Sequence, residues 1–280
     1  MVTETLKNFD LKQIAQSGQC FRMTEIKPGT FQVIAYGKRL LLEQEGQQVT
    51  FHCTEREYKD LWRRYFDLET NYQYFIDHID PEDAYLAAAI QCSSGIRILR
   101  QELWETVVSF IISQNNNIPR IQKSIEKLCE FCGKGHEEPG GLVWYEFPGP
   151  EALAHEEDLG PAKLGYRAKY IAALAKNVIA GTVSLDSLAH MDQTEAGNYL
   201  KSIYGVGSKV ASCIQLFSLH QLDSFPIDTW IKQIINEEYA GKFPAEAYSG
   251  FTGVIQQYIF NYARQQSGKK SETARGGGDA

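Results

Sequence analysis

Two glycines one residue apart, Gly205 and Gly207, interrupt a helical apolar spacing in Leu200-Lys-Ser-Ile-Tyr-Gly-Val-Gly-Ser-Lys-Val210. Leu200, Ile203 and Tyr204 before the break, and Val210, Ile214 and Phe217 after it, recur at helical intervals. Glycine reaches positive φ at no steric cost, so the chain reverses sharply there: helix, tight hairpin, helix. The exposed N–H groups of such a turn, with the positive end of the following helix, form an anion site suited to a phosphate. By itself a Gly-x-Gly turn also serves plain helix packing.

Lys209 follows the turn at once and falls at the start of the second helix. Nineteen positions later, Phe225-Pro-Ile-Asp-Thr-Trp230 puts Asp228 at another helix N-terminus. Taken singly, Lys209 reads as a solvated lysine and Asp228 as an N-cap; flanking one turn together, they read as an amine and an acid of one site. A neutral lysine amine is a nucleophile that forms Schiff bases. Its reference pKa of about 10.4 means that attack at neutral pH needs desolvation, a positive helix end or a proton acceptor. A nearby carboxylate would raise that pKa, so Asp228 suits the steadying of positive charge developing in the reaction better than the activation of the amine.

The hairpin with Lys209 and the segment before Asp228 resemble the helix-hairpin-helix and Gly/Pro-Asp signature of the base-excision DNA glycosylase superfamily, whose bifunctional members carry the lysine. Ser17-Gly-Gln-Cys-Phe-Arg22, Ser113-Gln-Asn-Asn-Asn-Ile-Pro-Arg120 and Leu164-Gly-Tyr-Arg-Ala-Lys-Tyr170 resemble the 8-oxoguanine DNA glycosylase branch, and the likeness runs from about residue 11 to 264. The resemblance implies excision of 8-oxoguanine, preferably opposite cytosine, from duplex DNA by base flipping, a Lys209 Schiff base with the sugar, and strand cleavage by β-elimination. It assigns filling of the gap to Asn115, the wedge to Tyr166, and the orphaned cytosine to Arg120 and Arg167, whose guanidinium forks can donate to its acceptors. Gly205 and Gly207 would hold the backbone phosphate.

The same resemblance implies that the Gly18 carbonyl accepts the hydrogen on N7 that distinguishes 8-oxoguanine from guanine; a carbonyl cannot also donate. Cys213 and Phe260 would cover the two faces of the base, Gln256 its Watson–Crick edge, and Phe217 would complete the pocket. From the residues alone, Cys213 and Phe260 read as core, Gln256 as surface, Asn115 as loop, Tyr166 as core, and the two arginines as solvated. Two positions depart from the better-known eukaryotic members: Trp230 stands where they have a histidine near a phosphate, and Ala263 where they have an aspartate near the pocket.

The chain of 280 residues, 43% hydrophobic, can bury a substantial core, and no apolar run approaches the roughly 20 residues that cross a bilayer. With no signal-peptide pattern, an intracellular protein is expected, in cytoplasm or nucleoid if bacterial and in the nucleus if eukaryotic. Six scattered cysteines suit free thiols in a reducing compartment. Cys129-Glu-Phe-Cys132 has the spacing of half a metal site but no second pair nearby, so no metal and no cofactor are expected.

A net charge of −7 opposes binding to nucleic acid, which normally rests on Lys and Arg. The acid is uneven, however: Glu137 to Asp158 carries seven carboxylates and no Lys or Arg, while Lys163 to Lys176 carries four basic residues and no acid. A local basic face is compatible with that distribution.

An α+β fold is expected, with an N-terminal antiparallel β-sheet domain and flanking helices over 1–95, and a two-part all-helical glycosylase region over 96–265. Short runs at Phe31–Tyr36, Arg39–Glu43 and Val49–Cys53 read as strands, and after Glu55 the period becomes helical. Leu103–Ile112 is apolar almost all round and predicts a buried helix; Asn117 and Pro119 suit the next helix's first turn. Gly133–Pro150 reads as an irregular joint, the hairpin motif spans about 197–217, and 266–280 reads as a disordered tail. A monomer acting on double-stranded DNA is expected, with no membrane partner. Two rivals are a glycosylase of the same superfamily for another base, such as an alkylated purine, and a non-catalytic module that only grips duplex phosphate.

Overall fold

The computed structural model describes residues 1–276, with side chains described as far as residue 267. Strands β1 (Val2–Thr5), β2 (Met23–Lys27), β3 (Thr30–Ala35), β4 (Lys38–Glu45) and β5 (Gln48–Phe51) form one antiparallel sheet in the order β1-β5-β4-β3-β2. Side chains alternate between the two faces of a strand, so Val33, Leu40, Leu42, Val49 and Phe51 all turn inward and are fully buried. The register sets Val33 opposite Leu40 and Leu42 opposite Phe51, and these apolar cross-strand pairs hold it against a slip that would expose them.

Helix α1 (Leu11–Gln16) closes one side of this sheet, capped by Asp10, which accepts from the Gln13 N–H at 2.8 Å. Its Leu11 and Ile14 join the sheet's apolar cluster. One-turn helices α2 (Glu55–Glu57) and α3 (Arg63–Tyr65) flank a π-helical stretch, Tyr58–Trp62, and add a seam of aromatic rings. Phe51 meets Tyr58 edge to face at 5.0 Å between centroids, and Tyr65 meets Phe66 at the same distance. The fully buried Trp62 satisfies its indole N–H on Glu57 Oε1 at 2.8 Å.

The second core is helical. It is built from α4 (Tyr72–Asp77), α5 (Ala84–Ser93), α6 (Leu103–Ile112) and α7 (Ile118–Cys132), then α8 (Pro150–Leu153), α9 (Arg167–Ile179), α10 (Gln193–Ser202), α11 (Ser208–Phe217), α12 (Thr229–Glu238) and α13 (Thr252–Gly276). Helix α6 occupies the span its apolar run predicts and is buried from Thr106 to Ile112, packed on α7, α9 and α11. Helix α5 lies against α13, so the helical packing begins before residue 96.

Arg97 ties the two cores together. Buried at 6% exposure, it donates to the carbonyls of Lys7, Asn8, Asp67 and Thr70 and lies 4.5 Å from the Tyr72 ring centroid.

The structure adds elements to the sequence reading. Strands β1 and β2 and helix α1 are not among the elements read from the sequence. The Gly133–Pro150 joint holds a two-stranded antiparallel sheet, β6 (Gly135–Glu137) and β7 (Val143–Tyr145), pinned by His136 stacked on Trp144 at 4.2 Å. At the other end, α13 continues through residues read as a disordered tail as far as Gly276, over good helix formers such as Gln265, Gln266, Lys269 and Lys270. Residues 277–280 lie outside the described part.

Candidate active site

The hairpin forms as its glycines require. Gly205 sits at φ +87°, and a Cβ there would come within 2.4 Å of the Tyr170 ring, so only glycine fits. Gly207 has φ −93° as N-cap of α11 and faces open space. The turn is tied to the 113–117 loop by Gln114, whose Nε2 donates to the Gly205 carbonyl at 2.9 Å. Lys209 thus stands in the first turn of α11, beside the unpaired amides of its N-terminus.

Asp228 is the N-cap of α12: Oδ1 accepts from the Ile231 N–H at 2.9 Å. A carboxylate needs only one oxygen for that bond. Lys209 Nζ lies 3.5 Å from Ser113 Oγ and 5.3 Å from the centroid of Phe110, which is itself stacked on Phe217 at 5.4 Å. Among the described residues, no ion pair within 4.0 Å holds the Lys209 ammonium.

Lys209 and Asp228 border two connected spaces. A cleft of about 1020 Å³ runs past Asn115, Gly207, Trp230 and Arg264. A recess of about 40 Å³ opens beside it, bordered by Gly18, Cys213, Phe217, Gln256 and Phe260 as well as by the lysine and the aspartate. Every base-pocket candidate read from the sequence therefore meets both catalytic candidates in one place. The recess itself has about the room of one water molecule, so a purine would have to spread its walls.

Each wall has an identifiable cause. Gly18 sits at φ +78° with Ile118 and Phe260 both 3.2 Å from where a Cβ would be, so glycine lets the backbone approach the ring. Burial pushes the Cys213 thiol up, Lys209 pulls it down and Asp228 adds to the rise, with a net increase that keeps the thiol neutral at neutral pH. Gln256, read as a surface residue from its polarity, is 3% exposed and donates from Nε2 to the Pro226 carbonyl at 3.0 Å.

The DNA-facing candidates divide. Asn115 is exposed at the cleft edge with φ +46°, and Arg120 is exposed in the first turn of α7, behind the N-cap Asn117. Tyr166 is 46% exposed, at one end of an edge-to-face series with Tyr170 and Tyr204, which corrects its reading as core. Arg167 is 5% exposed rather than solvated: Nε donates to the Gln114 carbonyl at 2.9 Å, Nη2 to those of Gln114 and Asn115, and Nη1 to that of Leu164 at 3.2 Å. In this state it holds the 113–117 loop and keeps one of its five N–H groups for another acceptor. Trp230 is 40% exposed on the cleft, and Ala263 is buried in the helical core. Cys129 and Cys132 share α7, where burial pushes the first thiol up to about 12.

Three participants gave no sequence signal of their own. Phe110 read as one more apolar residue of a buried helix, Ser113 only as the first residue of the 113–120 segment, and Arg264 was not singled out. Their relation to Lys209, Asp228 and the cleft exists only in three dimensions.

A lysine and an acid beside a helix-hairpin-helix fit a DNA glycosylase of the base-excision type, and the likeness to known proteins puts the chain in that class. Residues 108–246 match the model of the HhH-GPD superfamily base excision DNA repair protein, and residues 1–107 match that of the 8-oxoguanine DNA glycosylase N-terminal domain. The chain is 36% identical over 190 residues to the N-glycosylase/DNA lyase of Saccharomyces cerevisiae, covering 63% of this chain and 50% of the yeast protein. It is 29% identical over 231 residues to a probable N-glycosylase/DNA lyase of Methanothermobacter thermautotrophicus, covering 71% of this chain and 72% of that one. A solved structure of the Clostridium acetobutylicum 8-oxoguanine glycosylase/lyase, in complex with double-stranded DNA containing cytosine opposite 8-oxoguanine, superposes with a TM-score of 0.88 at 35% identity over 94% of each chain. The chain belongs to the 8-oxoguanine DNA glycosylase family of the HhH-GPD superfamily.

Proposed function

We propose that this chain is a bifunctional DNA glycosylase and AP lyase that removes 8-oxoguanine, preferably opposite cytosine, from duplex DNA. The observation that carries the reading is the meeting of Lys209, Asp228 and five base-pocket candidates at one recess off a cleft. The Clostridium relative, solved with such a duplex, supports the choice of substrate.

The chemistry follows from the groups present. The amides at the start of α11 and the hairpin hold a backbone phosphate, and the damaged nucleotide turns out of the stack into the cleft. Asn115 and Tyr166 occupy the space it leaves, with Arg120 and Arg167 at the orphaned cytosine. The neutral Lys209 amine attacks C1′ of the sugar as the glycosidic bond breaks, and the base leaves with the bonding pair and takes up a proton. Asp228 steadies the positive charge on the sugar as the bond lengthens. The nitrogen lone pair then expels O4′ from C1′, which opens the ring, O4′ takes up a proton given up by the nitrogen, and the resulting Schiff base acidifies the proton on C2′, whose loss expels the 3′ phosphate and cuts the strand. The reading includes a monomer working inside the cell, with lesion-bearing duplex DNA as its partner.

Borohydride reduces a Schiff base to a stable amine. Added during reaction with a duplex carrying 8-oxoguanine opposite cytosine, it should trap protein on DNA, and Lys209→Gln should abolish the trapped species. Undiminished trapping in that variant refutes the assigned nucleophile. Repeating excision with each of the four opposite bases tests the arginines: cytosine preference should vanish when Arg120 and Arg167 are both replaced.

A further inference from the structure

The recess beside Lys209, about 40 Å³, admits a purine only if one of its walls moves. The wall at Gly18 is pinned. Ser17 and Gln19 on either side are fully buried, and Gln19 Nε2 donates to Ser17 Oγ and to the Arg97 carbonyl, both at 2.9 Å. The opposite wall is freer: Phe260 is only half-buried, although α13 is buried from Thr252 to Ile259 just before it. Its ring comes within 3.2 Å of where a Gly18 Cβ would stand.

Arg264, one helical turn beyond Phe260, packs on that ring with Cζ 5.5 Å from the centroid, and its Nη1 donates to the Gln16 carbonyl at the end of α1. The guanidinium thus joins the movable wall to the segment that carries the pinned one. Among the described residues this carbonyl is its one hydrogen-bond partner, and no carboxylate lies within 4.0 Å of it. Burial pushes its pKa down, and Asp228 opposes that from beyond ion-pair reach. Four of its five N–H groups remain to be used.

Arg264 also borders the cleft, whose lining sets three cations, Lys209, Lys232 and Arg264, against Asp228 alone, in a chain of net charge −7. Such a local excess selects an anion. A guanidinium holds a phosphate through two parallel charge-assisted bonds, more strongly than it holds one neutral carbonyl. Gln16 is exposed, so water can take over its carbonyl when the arginine leaves.

We propose that Arg264 is a latch on the base recess that DNA releases: a backbone phosphate of the lesion strand, seated in the cleft, takes the guanidinium from Gln16, and the freed Phe260 ring turns aside to admit the extruded base. The phosphate favours the open state because only there is the guanidinium free to bind it. The recess then opens only where duplex is already bound. The proposal rests on the excision reading for its ligand.

The test measures binding of the full chain to a duplex with a tetrahydrofuran site, which carries no base and does not react, over a range of salt concentrations. Arg264→Met should lower the slope of log affinity against log salt by ~0.9, the share of one phosphate, and Arg264→Lys should keep it. In the free protein, alkylation of Cys213 by iodoacetamide, read by mass spectrometry of its peptide, reports opening of the recess, since that thiol is 2% exposed on its wall. Arg264→Met should raise that rate by ~10-fold at an unchanged melting temperature, as local opening does. In the wild type the Arg264 Nε–H resonance, identified by its loss in Arg264→Lys, should shift when the duplex is added.

An unchanged salt slope in Arg264→Met, or an equal fall in Arg264→Lys, overturns phosphate as the partner. An unchanged alkylation rate, or a rise that tracks a fall in melting temperature, overturns the latch. If Arg264→Met does not fold, the wild-type spectrum still decides: a resonance unmoved by the duplex overturns the proposal. These outcomes leave the excision reading standing. A wild type that binds the duplex but removes no 8-oxoguanine overturns that reading, and with it the extruded base that the latch would admit.

Discussion

Gly205 and Gly207 look interchangeable in sequence and are not. Gly205 combines positive φ with a Tyr170 ring 2.4 Å from any Cβ, whereas Gly207 has ordinary φ and free space. Gly205→Ala should therefore lower stability by about 1–3 kcal/mol and weaken duplex binding, while Gly207→Ala should leave the melting temperature nearly unchanged. Thermal melts of the two variants side by side check the contrast. Asp228 separates in another way, because its cap and its proposed catalytic role need different properties of one side chain. Asn also caps helices well, so Asp228→Asn should cost less than ~1 kcal/mol in a denaturant melt. It removes the charge opposite the sugar, and excision should fall by ~100-fold or more. Parallel losses in folding and rate would deny the aspartate a separate catalytic part.

At the scale of elements, much of the site was legible because it lies where helices begin. The turn glycines, the N-cap Asp228 and the N-cap Asn117 with Pro119 behind it are local signals, set by backbone conformation within a few residues. Helix α6 was legible for a different reason: an all-round apolar helix has nowhere to go but the core. What escaped was pairing that neither partner segment signals by itself, near or far in sequence. The β6–β7 sheet has three-residue strands and owes its order to the His136–Trp144 stack and the His136–Glu146 contact at 2.5 Å. Arg167 was misread because exposure was inferred from charge, while its position puts its guanidinium against the carbonyls of Gln114, Asn115 and Leu164.

For the molecule as a whole, two buried charges make the predictions. Arg97→Met should destabilise by roughly 3–5 kcal/mol, since the carbonyls of Lys7, Asn8 and Asp67 lose their donor at once. A urea titration would show it, and an unshifted midpoint would mean that the two cores hold without this tie. Glu105, on α6 beside Arg22 at 3.4 Å, is pushed up to about 7: burial dominates, Arg22 opposes it and Glu102 adds to it. The folded state therefore holds this proton more tightly than the unfolded chain, whose carboxyl titrates near 4.5. Stability from this group is present at low pH and declines as pH rises from about 4.5 through about 7. Glu105→Gln removes that decline, so melting curves between about pH 5 and 8 should be flatter in the variant. Among the described residues no helix is long and apolar enough to cross a membrane.

From its own residues the chain determined what is local or repetitive: a helix-hairpin-helix, an apolar central helix, antiparallel strands, and a lysine and an aspartate each placed at the start of a helix. Those follow from φ preferences, capping and the period of apolar side chains, which act over a turn or two. Only the tertiary structure decided which helix ends converge. The recess draws on Gly18 from the N-terminal third, Phe110 from the middle third, Lys209 from the C-terminal third, and Gln256 and Gln257 from the last helix. It also decided how the Gln256 amide is turned, because its Nε2 is held by the carbonyl of Pro226, thirty residues away, and its Oε1 by the Nε2 of Gln257. Packing sets such distances, and packing is a property of all the segments at once.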